Sequence, residues 1–153
     1  MLTRTGQAKD WGTGLPLREG LLGKMSHLEV HHIFPKAVLY AAGYDRTQVN
    51  AVANYYLLTK DTNLQISARE PAGYSLEIEQ AYPGALESQW IPKNPNLWKV
   101  ENYLEFLVAR RMLLAQEGNS LLQDLLHSEF SPVSDAASLA TETSGVHTKC
   151  QTE

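Results

Sequence analysis

Two short segments with strand character, residues 27–33 and 55–59, constrain the fold of this chain more than any other feature. The first segment, HLEVHHI, alternates apolar and polar residues until Pro35, which cannot donate to a strand ladder. The second segment, YYLLT, is rich in aromatic, apolar and β-branched residues, which favour a strand. Between them, KAVLYAAG and RTQVNAVAN favour helical turns closed by Gly43 and capped by Asp45. The sequence therefore predicts a strand, a helical insertion and a second strand.

Helices are predicted for most of the chain after the second strand. Asp61 is expected to cap a short helix that runs through Ile66, and Pro71 ends that unit. GYSLEIEQAY predicts a further helix. From Leu97 to Gln116 apolar residues recur at helical spacing, and Gly118 is expected to end this helix before a last short one, SLLQDLLH.

These patterns predict a single α+β domain over residues 1–127, which is long enough to bury a core without disulfides. Its first part, called the finger segment below, covers about 27–69 and contains the two predicted strands. A mainly helical part covers about 72–127. Residues 1–26, rich in turn formers, are expected to form an irregular lead-in. Residues 128–153 contain few large apolar residues and are expected to form a disordered acidic tail.

The composition excludes several classes of protein. No run of about 18 apolar residues is present to cross a bilayer, and no secretory signal is apparent, so a cytoplasmic protein is expected. The single cysteine, Cys150, excludes an internal disulfide and a Cys-rich zinc site. Any bound metal must therefore use histidine, asparagine or carboxylate ligands.

The charge is mildly unfavourable for an autonomous DNA-binding protein, because the net charge is −4. The segment 24–69 is nevertheless basic, since five cations and three carboxylates give +5 − 3 = +2. These residues are Lys24, Lys36, Arg46, Lys60 and Arg69, against Glu29, Asp45 and Asp61. We expect only weak, salt-sensitive binding to DNA from such a segment.

Four polar residues in the finger segment have the spacing of a hydrolytic metal site. His31 and His32 close the first predicted strand, and Asn54 and Asn63 lie nine positions apart around the second. Hydrolysis of a phosphodiester needs a water nucleophile, a base and a cation, which such a set can supply. Neighbouring strand residues point to opposite faces, so the two histidines can address one phosphate only if the strand ends or curls near Pro35.

At this point the chain resembles the HNH, or ββα-metal, endonucleases, and particularly the C-terminal nuclease half of GmrSD-type modification-dependent restriction enzymes. The resemblance covers roughly residues 10–126. It includes the segments DWGTG, EVHHIFPKA, VNAVAN, LLTKDTNLQIS, PAGY, ALESQWIP and LWKVENYLEFLVARRMLLA. The implied fold is a ββα-metal finger packed on a helical C-terminal half, and the implied activity is cleavage of DNA in defence against foreign or modified DNA. RNA stays open as a substrate.

The resemblance also implies a role for each of the four polar residues. His32 falls on the general-base position, and His31 and Asn63 fall on the two metal-ligand positions. Asn54 falls on a position whose amide bridges backbone groups and holds the base in register. Many relatives have aspartate at the position of His31 and histidine at that of Asn63. One divalent ion is expected, Mg²⁺ or Mn²⁺ first. The neutral imidazole of His31 in place of a carboxylate should widen acceptance toward Ni²⁺ or Zn²⁺.

The family also implies partners. Its nuclease half normally follows a nucleotide-hydrolysing, ParB-like domain, yet no Gly-rich phosphate loop precedes His31. A separately encoded or lost domain of that kind is therefore expected, besides DNA itself. The alternative is a catalytically silent DNA-binding or interaction module.

The other polar and aromatic residues receive simpler interpretations. Lys36, Lys60 and Arg69 flank the site and are candidates for phosphate contacts, although exposed cations are usually solvated. Arg110 is expected to form a salt bridge with a nearby glutamate on the long helix. The tryptophans, including Trp11, are expected to pack in the core.

Overall fold

The structure is a computed structural model that describes residues 8–17 and 28–129. The described strands are β1 (Leu28–His32) and β2 (Tyr55–Thr59). The α-helices are α1 (Lys36–Ala41), α2 (Arg46–Val49), α3 (Lys60–Ile66), α4 (Pro71–Ala81) and α5 (Tyr103–Glu129). Short 3₁₀ turns occupy Val52–Asn54, Glu87–Gln89, Pro95–Trp98 and Val100–Asn102. The predicted tail lies outside the described residues, apart from its first two positions, which end α5.

The two strands pair antiparallel, with Leu28 opposite Thr59 and His32 opposite Tyr55. Helix α3 begins at the residue after β2 and contacts both strands. The predicted α+β class is therefore confirmed, because a two-stranded antiparallel sheet is present beside the helices. Within the described part of the chain, no helix is long and apolar enough to span a bilayer.

The start of α3 corrects one expectation, because Thr59 rather than Asp61 caps the helix. Thr59 has the extended backbone of a strand residue, and its side chain accepts a hydrogen bond from the backbone N–H of Thr62. The strand thus ends where the helix begins. Asp61 lies in the first turn, where its charge complements the helix dipole.

The insertion between the strands has the predicted helical character. Asp45 caps α2 with a capping box, because its side chain accepts from the Gln48 backbone while the Gln48 side chain accepts from the Asp45 backbone. Gly43 follows α1 with a φ of 88°, which a residue with a side chain rarely adopts. Local capping and turn chemistry therefore account for this region.

The prediction of an irregular lead-in is wrong for residues 8–17. This segment folds back on itself through a bridge between Lys9 and Pro16. Trp11 is buried and stacks on Tyr56 with ring centroids 4.3 Å apart. The buried carboxylate of Asp10 accepts hydrogen bonds from the Thr59 backbone N–H at 2.9 Å and from the Thr62 hydroxyl at 2.6 Å. The segment thus anchors the junction of β2 and α3.

The long C-terminal helix also differs from its prediction. The sequence placed its start at Leu97 and its end at Gly118, whereas α5 begins at Tyr103 and continues through Gly118 to Glu129. A helical glycine costs about 1 kcal/mol relative to alanine, which a long helix tolerates. The separately predicted last helix is the C-terminal part of α5.

One hydrophobic core joins the finger segment to the helical half. Phe34, which follows β1 closely, packs edge-to-face against Tyr103 and Phe106 of α5, with ring centroids 5.0 and 4.9 Å apart. All three residues are fully buried. The end of β1 is therefore held by α5 as well as by β2.

Arg110 of α5 corrects another expectation, since it is buried and forms no salt bridge with a helix neighbour. Its Nη1 donates to the Ala53 carbonyl at 2.8 Å, and its Nη2 donates to the Gln89 carbonyl at 3.2 Å. Burial lowers the pKa of Arg110 to about 9, so the side chain keeps its charge at neutral pH. Arg110 has the helical spacing of the buried residues Tyr103 and Leu107, so it lies on the core-facing side of α5, where backbone carbonyls receive the guanidinium.

Candidate active site at the end of strand β1

An open cleft of about 790 Å³ lies between the C-terminal end of β1 and helix α3. Its lining includes His31, His32, Lys36, Tyr55 and Asn63. The structure thus brings the two histidines and the second asparagine of the sequence motif to one surface. Asn54 lies behind this surface and is fully buried.

Three atoms of this cleft are buried and have no hydrogen-bond partner among the described residues. They are Nδ1 of His31, Nε2 of His32 and Oδ1 of Asn63. Buried polar side-chain atoms usually have a partner in a folded protein, so unpaired ones need an explanation. Three residues that line one cleft thus each carry an unpaired nitrogen or oxygen atom, a set suited to a ligand.

The end of β1 explains how two adjacent histidines reach the same cleft. Residues next to each other in a regular strand point to opposite faces. Here β1 ends at His32, and the next residue, Ile33, donates its backbone N–H to the Asn54 carbonyl at 2.8 Å. The His31 ring meets Tyr56 edge-on, and the His32 ring lies 4.3 Å from that of Tyr55. Each ring contacts the residue directly opposite it on β2, so the two side chains keep to opposite faces of the strand pair. Both line the cleft because it lies at the end of the strand.

Asn54 makes the backbone hydrogen bonds that an orienting residue needs. Its Oδ1 accepts from the Phe34 backbone N–H at 2.9 Å. Its Nδ2 donates to the carbonyls of Phe34 at 3.3 Å and Val49 at 3.0 Å. The amide therefore joins the turn after His32 to the end of α2. Because Arg110 binds the carbonyl of Ala53, the residue that precedes Asn54 is held as well.

The environment of His32 favours its neutral form. Burial lowers the pKa of His32, and the positive charge of Lys36 lowers it further, with a smaller effect of the same sign from His31. A hydrogen bond with the side chain of Asn50 opposes these effects by raising the pKa. A neighbour that raises a histidine pKa accepts the ring proton. Nε2 of His32 is buried and has no hydrogen-bond partner among the described residues.

Asn63 is held by a residue that the sequence analysis did not single out. Its Nδ2 donates to Oε2 of Glu29 at 2.5 Å, and this hydrogen bond joins α3 to β1. Glu29 and His31 lie two positions apart on β1 and so share a face of the strand. That spacing was visible in the sequence, but the contact with Asn63 depends on how α3 packs. Asn50 was also missed, because it ends α2 and its approach to His32 depends on how that helix packs.

The three candidate phosphate-binding cations lie in different surroundings. Lys36 is exposed and lines the cleft. Lys60 is exposed at the first position of α3. Arg69 forms an ion pair with Glu77 of α4 at 2.8 Å, with both side chains about half exposed or more. Of the three, Lys36 is therefore the one that the structure brings to the cleft.

Searches against protein-family models, curated proteins and solved structures found no match for the chain. The described residues contain no group of three or more His, Cys, Asp and Glu side chains arranged to hold a metal ion. The candidate ligands His31 and Asn63 include an amide, which lies outside that class of residues. The chemistry of the cleft must therefore be argued from its own atoms.

Proposed function

We propose that this chain is a divalent-metal-dependent endonuclease that hydrolyses phosphodiester bonds in DNA. The observation that carries the proposal is the set of three unpaired atoms on one cleft, Nδ1 of His31, Nε2 of His32 and Oδ1 of Asn63. The set matches the needs of phosphodiester hydrolysis, which are a base and a place for a cation beside the phosphate. The order of β1, β2 and α3 around the cleft is consistent with the ββα-metal finger.

His32 is the proposed general base. Its ring is neutral near pH 7 because burial and Lys36 lower its pKa, its Nε2 is unpaired, and the residue lines the cleft. Nε2 takes a proton from the attacking water, and the side chain of Asn50 helps to hold the ring. Asn54 holds the turn after His32 and so keeps the ring in place.

His31 and Asn63 are the proposed metal ligands. An imidazole nitrogen and an amide oxygen are both neutral donors, and together they suit Mn²⁺, Ni²⁺ or Zn²⁺ as well as Mg²⁺. A bound divalent ion would neutralise charge on the phosphate and on the leaving oxygen. Two ligands from the protein leave positions for water and for the substrate, so this pair fits a catalytic rather than a structural ion.

The choice of DNA rests on the resemblance of the motif and on one cation at the cleft. Lys36 is placed to contact a phosphate, and the surrounding segment is weakly basic. A role against foreign or modified DNA, with a nucleotide-hydrolysing partner domain, extends the proposal. An RNA substrate is included in the assay below as the competing outcome.

The test is a plasmid-nicking assay with Mg²⁺, Mn²⁺, Ni²⁺ and Zn²⁺, run beside metal binding by calorimetry. We expect His32→Ala to cleave about 10²–10⁴-fold more slowly than the wild type, the usual range for loss of a positioned base, and to bind metal normally. His31→Ala and Asn63→Ala should bind metal more weakly, and excess metal should partly rescue their cleavage. His31→Asp should keep activity and shift the preference toward Mg²⁺.

His127→Ala is the matched control, because His127 is exposed near the end of α5, away from the cleft. It should cleave and bind metal like the wild type. Cleavage by His32→Ala at the wild-type rate would refute the assignment of this site. A wild-type protein that binds DNA but cleaves neither DNA nor RNA with any of the four metals would establish the silent binding module instead.

A further inference from the structure

Glu29 is the nearest charged group to the proposed ligand pair that has no role so far. It lies on β1, two residues before His31, and its Oε2 accepts a hydrogen bond of 2.5 Å from Nδ2 of Asn63. The other end of the same amide, Oδ1, is buried and lacks a hydrogen-bond partner in the described part of the chain. The NH₂ group of the Asn63 side chain therefore has a hydrogen-bond partner, whereas its oxygen has none among the described residues.

We propose that Glu29 is a positioning residue that fixes the rotation of the Asn63 amide so that its oxygen, and not its NH₂ group, is offered to a divalent cation. The inference rests on the proposed function, because it concerns the same cleft. A carboxylate only accepts hydrogen bonds, so the group that faces Glu29 must be the NH₂ end of the amide. The oxygen is then directed to the other side.

The physical need for such a group follows from the shape of an asparagine side chain. The amide oxygen and nitrogen are nearly equal in size, and rotation by 180° exchanges them at little steric cost. An amide with its NH₂ group toward a cation cannot bind it, since that nitrogen has no available lone pair. A carboxylate ligand has two equivalent oxygens and needs no such control. Glu29 thus ensures that the asparagine presents an oxygen to the cation, which an aspartate ligand would do in either orientation.

The location of Glu29 suits this role. The bond joins β1 to α3, so it holds together the two elements that carry His31 and Asn63. A charge-assisted hydrogen bond is shorter and about twice as strong as a neutral one. Groups of this kind, bound to the ligands of a metal, typically change metal affinity by about 10- to 100-fold when they are removed.

The first measurement is Mn²⁺ binding by calorimetry to the full chain and to Glu29→Gln. Glutamine keeps the size of the side chain, but its amide can donate as well as accept, so it no longer selects one rotation of Asn63. We expect Glu29→Gln to weaken Mn²⁺ binding by about 10-fold or more. Asp61→Asn is the matched control, since it removes one carboxylate from the same helix as Asn63. It should weaken binding by about 2-fold at most, because an exposed charge is screened.

A double-variant cycle separates orientation from charge or folding. In Asn63→Asp both orientations present an oxygen, so Glu29→Gln in that background should weaken Mn²⁺ binding no more than Asp61→Asn does. An equal loss in both backgrounds would overturn the inference, because Glu29 would then act by its charge or by general stability. Equal binding by the wild type and Glu29→Gln would overturn it as well.

A second readout uses the metal-free protein. The side-chain NH₂ resonances of Asn63, assigned by their loss in Asn63→Asp, should shift in Glu29→Gln and stay in place in Asp61→Asn. Unchanged resonances in Glu29→Gln would contradict the hydrogen bond itself.

The failure of this inference can be told apart from failure of the proposed function. If Mn²⁺ binding to the wild type is absent, or is unaffected by His31→Ala and Asn63→Ala, the metal site fails and the inference falls with it. If those two variants weaken binding and Glu29→Gln does not, the metal site stands and only the role of Glu29 is refuted.

Discussion

Replacing Asn54 with alanine should destabilise the protein by about 3–5 kcal/mol. The fully buried amide satisfies the Phe34 backbone N–H at 2.9 Å and the Val49 carbonyl at 3.0 Å, with a weaker bond of 3.3 Å to the Phe34 carbonyl. A buried backbone group left without a partner costs about 1–3 kcal/mol. Two such groups give about 2–6 kcal/mol, and the stated range is the middle of that interval. That is a large share of the roughly 5–15 kcal/mol available to a domain.

Urea unfolding followed by tryptophan fluorescence measures this loss, because Trp11 is buried against Tyr56 in the native state. Asn94→Ala is the control. Its side chain is exposed and accepts one hydrogen bond, from the Asn96 backbone N–H at 3.1 Å, so its loss should cost about 1 kcal/mol at most. A loss below about 1 kcal/mol for Asn54→Ala, or equal losses for the two variants, would refute the bridging role.

The remaining predictions concern buried polar groups in the core. Arg110→Lys should lower the free energy of unfolding by about 1–3 kcal/mol, because an ammonium group cannot reproduce the fork that serves the Ala53 and Gln89 carbonyls; an unchanged urea midpoint would contradict this. Burial raises the pKa of Tyr56 and Tyr103 above the usual tyrosine value. As the pH rises, the unfolded chain therefore loses these protons before the folded protein does. The stability of the fold should be complete below about pH 10 and should fall at higher pH. Urea unfolding from pH 8 to 11 tests the trend, and constant stability up to pH 11 would argue against it.

The elements that the sequence predicts correctly are those set by local chemistry. The alternation before Pro35 and the apolar run YYLLT give β1 and β2, and the side chain of Asp45 caps α2 as expected. These patterns act over a few residues, within which periodicity and capping decide the structure. The short helix after β2 was placed correctly through Ile66 but given the wrong cap, because threonine and aspartate both cap helices and Thr59 lies only two residues before Asp61.

The elements that the sequence does not predict depend on contacts between distant residues. Trp11 and Asp10 lie in a glycine-rich segment with no periodicity, and only their partners on β2 and α3 give the segment a structure. Gly118 has the composition of a helix end but lies inside α5. Arg110 has the spacing of the buried face of α5, but its charge suggested a surface position, and the carbonyls that receive it belong to distant segments. A single sequence carries no direct signal for such pairs.

The residues of the candidate site were likewise predicted from the sequence only in part. His31, His32, Asn54 and Asn63 were chosen from a motif, and the structure brings three of them to one cleft with the fourth behind it. Their roles in catalysis stay predictions. Glu29 and Asn50 could not be chosen from the sequence, because the rotation of an amide and the partner of a ring nitrogen are decided only after the strands and α3 have packed.

The attachment of β1, β2 and α3 to α5 has a consequence for protein engineering. The strands have five residues each and α3 has seven, too little secondary structure to bury a core alone. Phe34 depends on Tyr103 and Phe106 for its burial, and the loop before Asn54 depends on Arg110. Grafting residues 28–66 onto a foreign scaffold would leave these groups exposed to water. A chimera that is meant to keep the cleft has to carry α5 with it, at least as far as Arg110.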